Sequence, residues 1–372
     1  MAAPEDAPVE KLATKPRSDS STLSRRRSLL PRFGLRTALI FAVVFCLAMA
    51  WLGRNFARIR EEDAAIETLK QAGATIYIRS GLDDIKPHPA TPFQTKPPNW
   101  DSVPSFPMRL LGLSGPAEVT SVRFHDDQPK DESLDEALAA LARFPELKSV
   151  ELSGSSFTDA SLDSLTPLKN LRELTLFSTS VTGDGLAQIA SPERFRRLRV
   201  SRMEPRLATV VASMRELRDV QVYDMPASRA DMEALASLPR LESLSLLKVR
   251  PSDESFYSPL AKAQRLRRLW ILSSSLGDAD MNVIEKLPRL EILDVDGITD
   301  AGVEEFDPLT RLRWVEFQSP VSLAAARKFS SAYPDGAVAA WGANGRQRYL
   351  AGDKISPGMA SEFNGLIHSK DD

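Results

Sequence analysis

The feature that most constrains this chain is a short apolar pattern that returns at a nearly fixed interval. An apolar residue, two variable ones, a second apolar, one variable and a third apolar recur from Val119, Leu147, Leu171, Phe195, Leu217, Leu241, Leu266, Leu290 and Leu312. From Leu147 on, successive copies start 24, 24, 22, 24, 25, 24 and 22 residues apart. Alternation over the last three apolar positions makes a short strand with one buried face. A single strand cannot bury that face. Copies stacked side by side in a parallel sheet can, each supporting its neighbours.

Each strand then needs a return segment with apolar positions of its own. These are Leu162 and Leu165, Leu186 and Ile189, Val210, Met232 and Leu235, Leu260, Met281 and Ile284, and Val303 and Phe306. Their spacing predicts short helices on the convex side. Thr158-Asp159, Thr182, Asp278 and Thr299-Asp300 stand just before them and are predicted to cap the first turns. A fixed period in the twenties marks a leucine-rich repeat. The predicted fold is an α/β leucine-rich-repeat solenoid, its parallel sheet on the concave side and its short helices on the convex side, preceded by one transmembrane helix.

The strings FTDASL (157–162), VTGDGL (181–186), LGDADM (276–281) and ITDAGV (298–303) resemble the turn-to-helix element of ribonuclease-inhibitor-like leucine-rich repeats. The Asn or Cys common after the strand in that class is replaced by Ser155, Thr179 and Ser274 in three repeats and by apolar residues in others. A hydroxyl supplies only part of an amide's hydrogen bonding. After the strands that begin near Phe195 and Leu217 the match is poorer, and irregularity is expected there.

The amino-terminal segment has a different character. Residues 1–35 are rich in Pro, Ser, Ala and charge and read as a disordered basic tail. Arg25, Arg26, Arg27, Arg32 and Arg36 lead into the uncharged run Thr37–Gly53, and Arg54, Arg58 and Arg60 follow it. Its 17 residues are the short end of what crosses a bilayer as a helix. Three readings compete: a buried core helix, a signal peptide cleaved after Ala50, and an uncleaved signal anchor over 36–54. The arginine bias favours the anchor, with the amino terminus cytoplasmic and the repeat domain exported from the cell membrane. Residues 55–80 are predicted to form a juxtamembrane helix and strand, with Gly73 between them, serving either as a cap on the repeats or as a spacer. Prolines make 81–110 an extended linker. The repeat domain covers 111–341, ending in a closing strand at Ala337–Trp341, and 342–372 read as a disordered tail. A basic tail, one hydrophobic helix, the string AAIETLKQAGATIYI (64–78), a Pro-rich stretch and PMRLLG (107–112) before the repeats resemble the membrane-anchored leucine-rich-repeat proteins of planctomycete bacteria. The resemblance implies fold and location and carries no site residues.

Composition narrows function mainly by exclusion. Residues 1–60 hold 11 Lys/Arg and 4 Asp/Glu, so with −2 overall the remainder carries −9. A mildly acidic main domain argues against nucleic-acid binding. The single cysteine, Cys46, lies in the apolar run, and His88, His125 and His368 are far apart, which predicts neither a disulfide nor a metal centre. No phosphate loop, nucleophile elbow or HExxH string is present, so the chain reads as a binding protein without catalytic residues or cofactors.

Strand alternation selects the outward residues of the concave face. Phe177, Tyr223, Leu247, Leu272 and Trp270 form a broken apolar stripe on a surface expected to be polar, a common binding signature. A misjudged register, or shielding by the flanking Pro-rich segment, would give the same pattern. A basic cluster that includes Arg197 and Arg199 could meet an anionic partner, or could be neutralised by Glu173 and Asp219. The predicted function is a membrane-tethered recognition module for a protein or envelope polymer. The alternative is a structural envelope spacer with no dedicated ligand.

Overall fold

The computed structural model describes residues 35–79, 118–125, 133–189, 191–202, 207–307, 309–331, 337–341 and 348–351. The expected tail over 1–35 lies almost wholly outside this set. So do the Pro-rich linker, the PMRLLG string and most of 342–372. Two compact units divide the chain, residues 1–53 and 54–372.

In the first unit the uncharged run is helical. It belongs to the helix Leu35–Gln71, and Leu39, Phe41, Phe45, Leu47 and Trp51 are exposed along it. By length and composition this helix is apolar enough to cross a membrane. At 1.5 Å per residue the uncharged run covers about 26 Å, close to the roughly 30 Å hydrocarbon layer. The sequence predicted a second helix starting near residue 64. Instead one helix continues, because no proline intervenes and Gly53 sits in open space where it forces no break.

In the second unit Ile59, Ala65, Ile66, Leu69 and Ala72 of that helix are buried. Gly73 ends it at φ 72°, with its N–H on the Lys70 carbonyl (2.8 Å) and the Ala74 N–H on the Leu69 carbonyl (2.8 Å). These two bonds make a Schellman motif, which turns the chain straight into a strand.

Twelve strands form one sheet: β1 Thr75–Arg79, β2 Glu118–Phe124, β3 Ser149–Ser153, β4 Glu173–Phe177, β5 Arg197–Ser201, β6 Asp219–Tyr223, β8 Ser243–Leu247, β10 Arg268–Leu272, β11 Ile292–Val295, β12 Trp314–Pro320, β13 Ala337–Trp341 and β14 Arg348–Ala351. Two-residue strands β7 (Pro226–Ala227) and β9 (Arg250–Pro251) pair separately. From β2 to β13 every neighbour in the large sheet is parallel, and β1 and β14 close its two ends antiparallel. The unit is a leucine-rich-repeat solenoid. The strand of residues 75–79 is therefore the end strand of the sheet, paired with the first repeat strand. Strand β14 lies in the stretch expected to be a disordered tail, where its four residues are too few to show a period against polar surroundings.

The register is the predicted one. Val150, Leu174, Leu198, Val220, Leu244, Leu269, Leu293 and Val315 stack strand upon strand and are buried. The return-segment residues from Leu162 to Phe306 are buried too. Behind the poorly matched strands β5 and β6, helices still form at Leu207–Ser213 and Arg229–Ala236.

Two devices recur. A left-handed residue follows each of several strands: Ser178, Arg202, Asp224, Lys248 and Ser273, with Gly154 in the first copy. Its N–H bonds to the next repeat, as Asp224 does to the Leu247 carbonyl (2.9 Å) and Lys248 to the Leu272 carbonyl (2.8 Å). The second device revises the capping expectation. Thr182 caps its own helix, its Oγ1 accepting from the Gly185 N–H at 3.1 Å. The aspartates reach across to the following repeat instead. Asp159 accepts from the Thr182 N–H (2.7 Å), Asp278 from the Thr299 N–H (2.8 Å) and Asp300 from the Ser322 N–H (2.6 Å). Gly185 and Gly302 make room for this: a Cβ there would fall 2.1 Å from Asp159 Cγ and 2.3 Å from Asp278 Oδ1.

Ser274 shows what a hydroxyl can do at the position of the usual amide. It is fully buried, donates towards the Leu246 (3.0 Å) and Leu272 (2.9 Å) carbonyls and accepts from the Val249 N–H (3.0 Å). The buried Tyr257 hydroxyl donates to its carbonyl, and burial holds that phenol well above its ordinary pKa.

Candidate functional site

The outward face of the sheet is built from alternate residues of each strand. In the last outward row, Ser201 lies between Phe177 of β4 and Tyr223 of β6. Parallel strands run about 4.8 Å apart, so two strands of separation would hold larger side chains well clear of each other across a third. Ser201 is small and buried, and its Oγ accepts from the Ser178 N–H at 2.8 Å. The two rings lean over it to a centroid distance of 5.3 Å, tilted by 31°. Lys248 Nζ lies 5.5 Å from the Tyr223 ring centre, within cation–π range. Both rings remain partly exposed.

Tyr223 pairs in register with Leu247, and Leu247 with Leu272. Leu272 is partly exposed, but Leu247 is only 6% exposed. The expectation that Leu247 stands out from the face is corrected: it is enclosed between Tyr223 and Leu272. In the middle row Trp270 lies between Ser245 and Asp294, partly exposed beside a small buried serine. The apolar stripe is thus two features, a ring pair at Phe177 and Tyr223 and a second patch at Trp270 and Leu272.

The two basic residues behave differently. Arg197 is held by Glu173 (2.9 Å) and Asp219 (3.4 Å), one on each adjacent strand. Burial works against its charge, but the two carboxylates outweigh burial and raise its pKa. Arg199 faces Thr175 and Gln221 in register and makes no ion pair among the described residues. Burial, and next the Arg197 charge, lower its pKa. Arg199 Nε and Gln221 Nε2 are both buried donors without a hydrogen-bond partner among the described residues. Unsatisfied buried donors cost stability, so this spot is among the least settled of the face. Arg123 pairs with Glu151 (2.7 Å), and Gln318 donates to Asp294 (3.1 Å).

Among solved structures the chain is similar to an internalin from Listeria monocytogenes, at 20% sequence identity and a TM-score of 0.35. The match covers 48% of this chain and 56% of that one, so the chain spans about half the length of that protein. No protein-family model and no curated protein matches the chain. No ligand or role transfers at that level of likeness.

The sequence passed over Lys248 and Gln221 as site residues. Lys248 follows its strand in the left-handed turn, outside the alternation that selected the others. Gln221 was visible as an outward residue, but nothing in the sequence says that its amide lacks an acceptor among the described residues. Among the described residues no group of His, Cys, Asp or Glu could hold a metal ion.

Proposed function

We propose that this protein is a membrane-tethered recognition module that binds a protein or envelope partner through the outward, concave face of its sheet. One observation carries the reading most: the Phe177–Tyr223 pair, closed over Ser201 and still partly open to solvent. Rigid aromatic side chains give large contact area at low entropic cost. The pair is preassembled, so little ordering remains to be done on binding. Trp270 and Leu272 extend the same face, and Arg199, which makes no ion pair among the described residues, lies on β5 beside the ring pair. Arg197 serves instead to hold strands β4, β5 and β6 together. The tether rests on the exposed apolar helix and on the arginines before it, which favour a cytoplasmic amino terminus.

Capture of partners by the full chain in native membranes, before and after cross-linking, tests the reading. The Phe177→Ser, Tyr223→Ser double variant should lose the captured partner while keeping the wild-type circular dichroism and membrane fraction. A folded double variant that retains every partner rejects this face and favours the spacer. Activity of a carboxyl-terminal reporter that works only in the cytoplasm rejects the orientation.

A further inference from the structure

A second surface lies where the strands begin. The residues on either side of each first buried apolar position form two rows along one edge of the sheet. The row after it runs Lys148, Arg172, Arg196, Arg218, Glu242, Arg267, Glu291 and Arg313. These are stacked repeat on repeat, each N–H bonded to the preceding member's carbonyl at 2.8–2.9 Å. The row before it runs Glu146, Asn170, Arg194, Glu216, Arg240, Arg265, Arg289 and Arg311. Together they hold 11 basic and 4 acidic residues, a net of +7. Residues 61–372 total −9, so everything else in them carries −16. One edge of an acidic domain is strongly basic.

Solvated rows of charge ordinarily alternate in sign and pair across neighbours. Parts of this edge do so, as in Arg218–Glu242 (3.6 Å), Arg240–Glu216 (2.8 Å) and Arg267–Glu291 (2.8 Å). The geometry therefore permits pairing from repeat to repeat. Lys148, Arg172, Arg194, Arg196, Arg265, Arg289, Arg311 and Arg313 nonetheless have no ion pair among the described residues, and most are exposed. Like charges stacked at strand spacing oppose folding, so the uniform sign at Lys148, Arg172 and Arg196, and again at Arg265, Arg289 and Arg311, has a cost in the isolated molecule.

From this arrangement we infer that the strand-start edge is a docking surface for an acidic stretch of a protein partner. The inference rests on the recognition reading above for the partner's class and adds its chemistry. The edge spans seven strand spacings, about 34 Å, enough for an extended acidic segment of some ten residues. Neighbouring surface decides between polyanions. The outward sheet beside the edge carries Glu151, Glu173, Asp219, Asp294, Asp296 and Glu316 against Arg123, Arg197, Arg199 and Arg268, a net of −2 where the edge holds +7. A uniformly anionic bilayer or nucleic acid reaching past the edge finds no net positive charge to meet it there. A protein can place acids along the edge alone. The sixteen edge positions also include no aromatic side chain on which bases could stack.

The test uses the full chain in neutral detergent micelles and a fluorescent glutamate-rich peptide. Arg265, Arg289 and Arg311 are exposed, and replacing all three with Glu should leave the circular dichroism unchanged. Wild type should bind the peptide with affinity that falls steeply as salt rises, and the triple variant should bind at least about tenfold more weakly. The Phe177→Ser, Tyr223→Ser variant should bind the peptide as wild type does. Loss of partner capture by that variant concerns the concave face alone. Equal peptide binding by wild type and the Arg265, Arg289, Arg311 triple variant overturns the docking edge. So does tighter binding by wild type, at the same salt, to phosphatidylglycerol vesicles or to a single-stranded oligonucleotide than to the peptide.

Discussion

Phe177 and Tyr223 belong to strands separated by a whole repeat, yet their rings stand 5.3 Å apart because Ser201 between them is small enough to be covered. An aromatic contact of this kind adds about 0.5–1.5 kcal/mol beyond buried area. Single and double alanine variants at Phe177 and Tyr223, followed by urea denaturation, should show a coupling energy in that range. Strict additivity would mean that the rings merely lie near each other.

Gly185 and Asp159 should be strongly coupled. Gly185→Ala drives a methyl into the Asp159 carboxylate and should destabilise the protein by about 1–3 kcal/mol. In an Asp159→Ala background the same change should cost less, since the carboxylate atoms at 2.1 Å are gone and only the Cβ of residue 159, at 2.7 Å, still obstructs. Thermal unfolding of the four proteins measures the difference, and equal costs in both backgrounds would contradict the packing.

Ser273 is exposed in the left-handed region at φ 52°. Its N–H bonds to Asp296 Oδ2 at 2.5 Å, a bond that glycine keeps. Relief of backbone strain, partly offset by the freer unfolded chain, should make Ser273→Gly more stable by about 0.5–1 kcal/mol. A drop in the denaturation midpoint would argue against the turn conformation.

Gln221→Met should also stabilise the fold, by about 1 kcal/mol, since it removes a buried donor that has no acceptor among the described residues and keeps the volume. Differential scanning calorimetry reads the shift directly. A loss of stability would show that the amide is satisfied in the folded state.

Asp300 accepts the Ser322 N–H, and hydrogen bonds from the Ser322 backbone and hydroxyl lower its pKa from the ordinary 3.8. The folded form thus favours the carboxylate. Its contribution to stability is present above that ordinary value and is lost as pH falls through the depressed one. Asp300→Asn should flatten the acid end of the stability curve at this contact, while behaviour near neutrality changes by a roughly pH-independent amount.

Much of the fold was legible in the sequence because repeats write their register many times over. The spacing from Leu147 to Leu312 located the strands without any one strand being decisive. What escaped notice depended on single contacts between repeats. Asp159 looks like a helix cap in its own repeat and can be seen to serve the next only once Thr182 is placed beside it. Leu247 has the alternation of an exposed residue, and its burial shows only once Tyr223 and Leu272 stand on either side of it. The basic edge was hidden for another reason. Its charges are scattered two residues apart through an acidic sequence, and only stacking gathers them into two lines. For the candidate site, the sequence named Phe177 and Tyr223 but not their contact, which depends on a serine in the repeat between.

The antiparallel strands β1 and β14 set a limit on growth. A parallel repeat can be added only against another parallel strand, and among the described residues both ends of the sheet present the opposite direction. Two such molecules meeting end to end would not continue one another's ladder of repeats. Change in the length of the binding surface must therefore come from within, by gain or loss of a unit of about two dozen residues between existing strands, with both ends left in place. The number of repeats is free to vary while the boundaries are not.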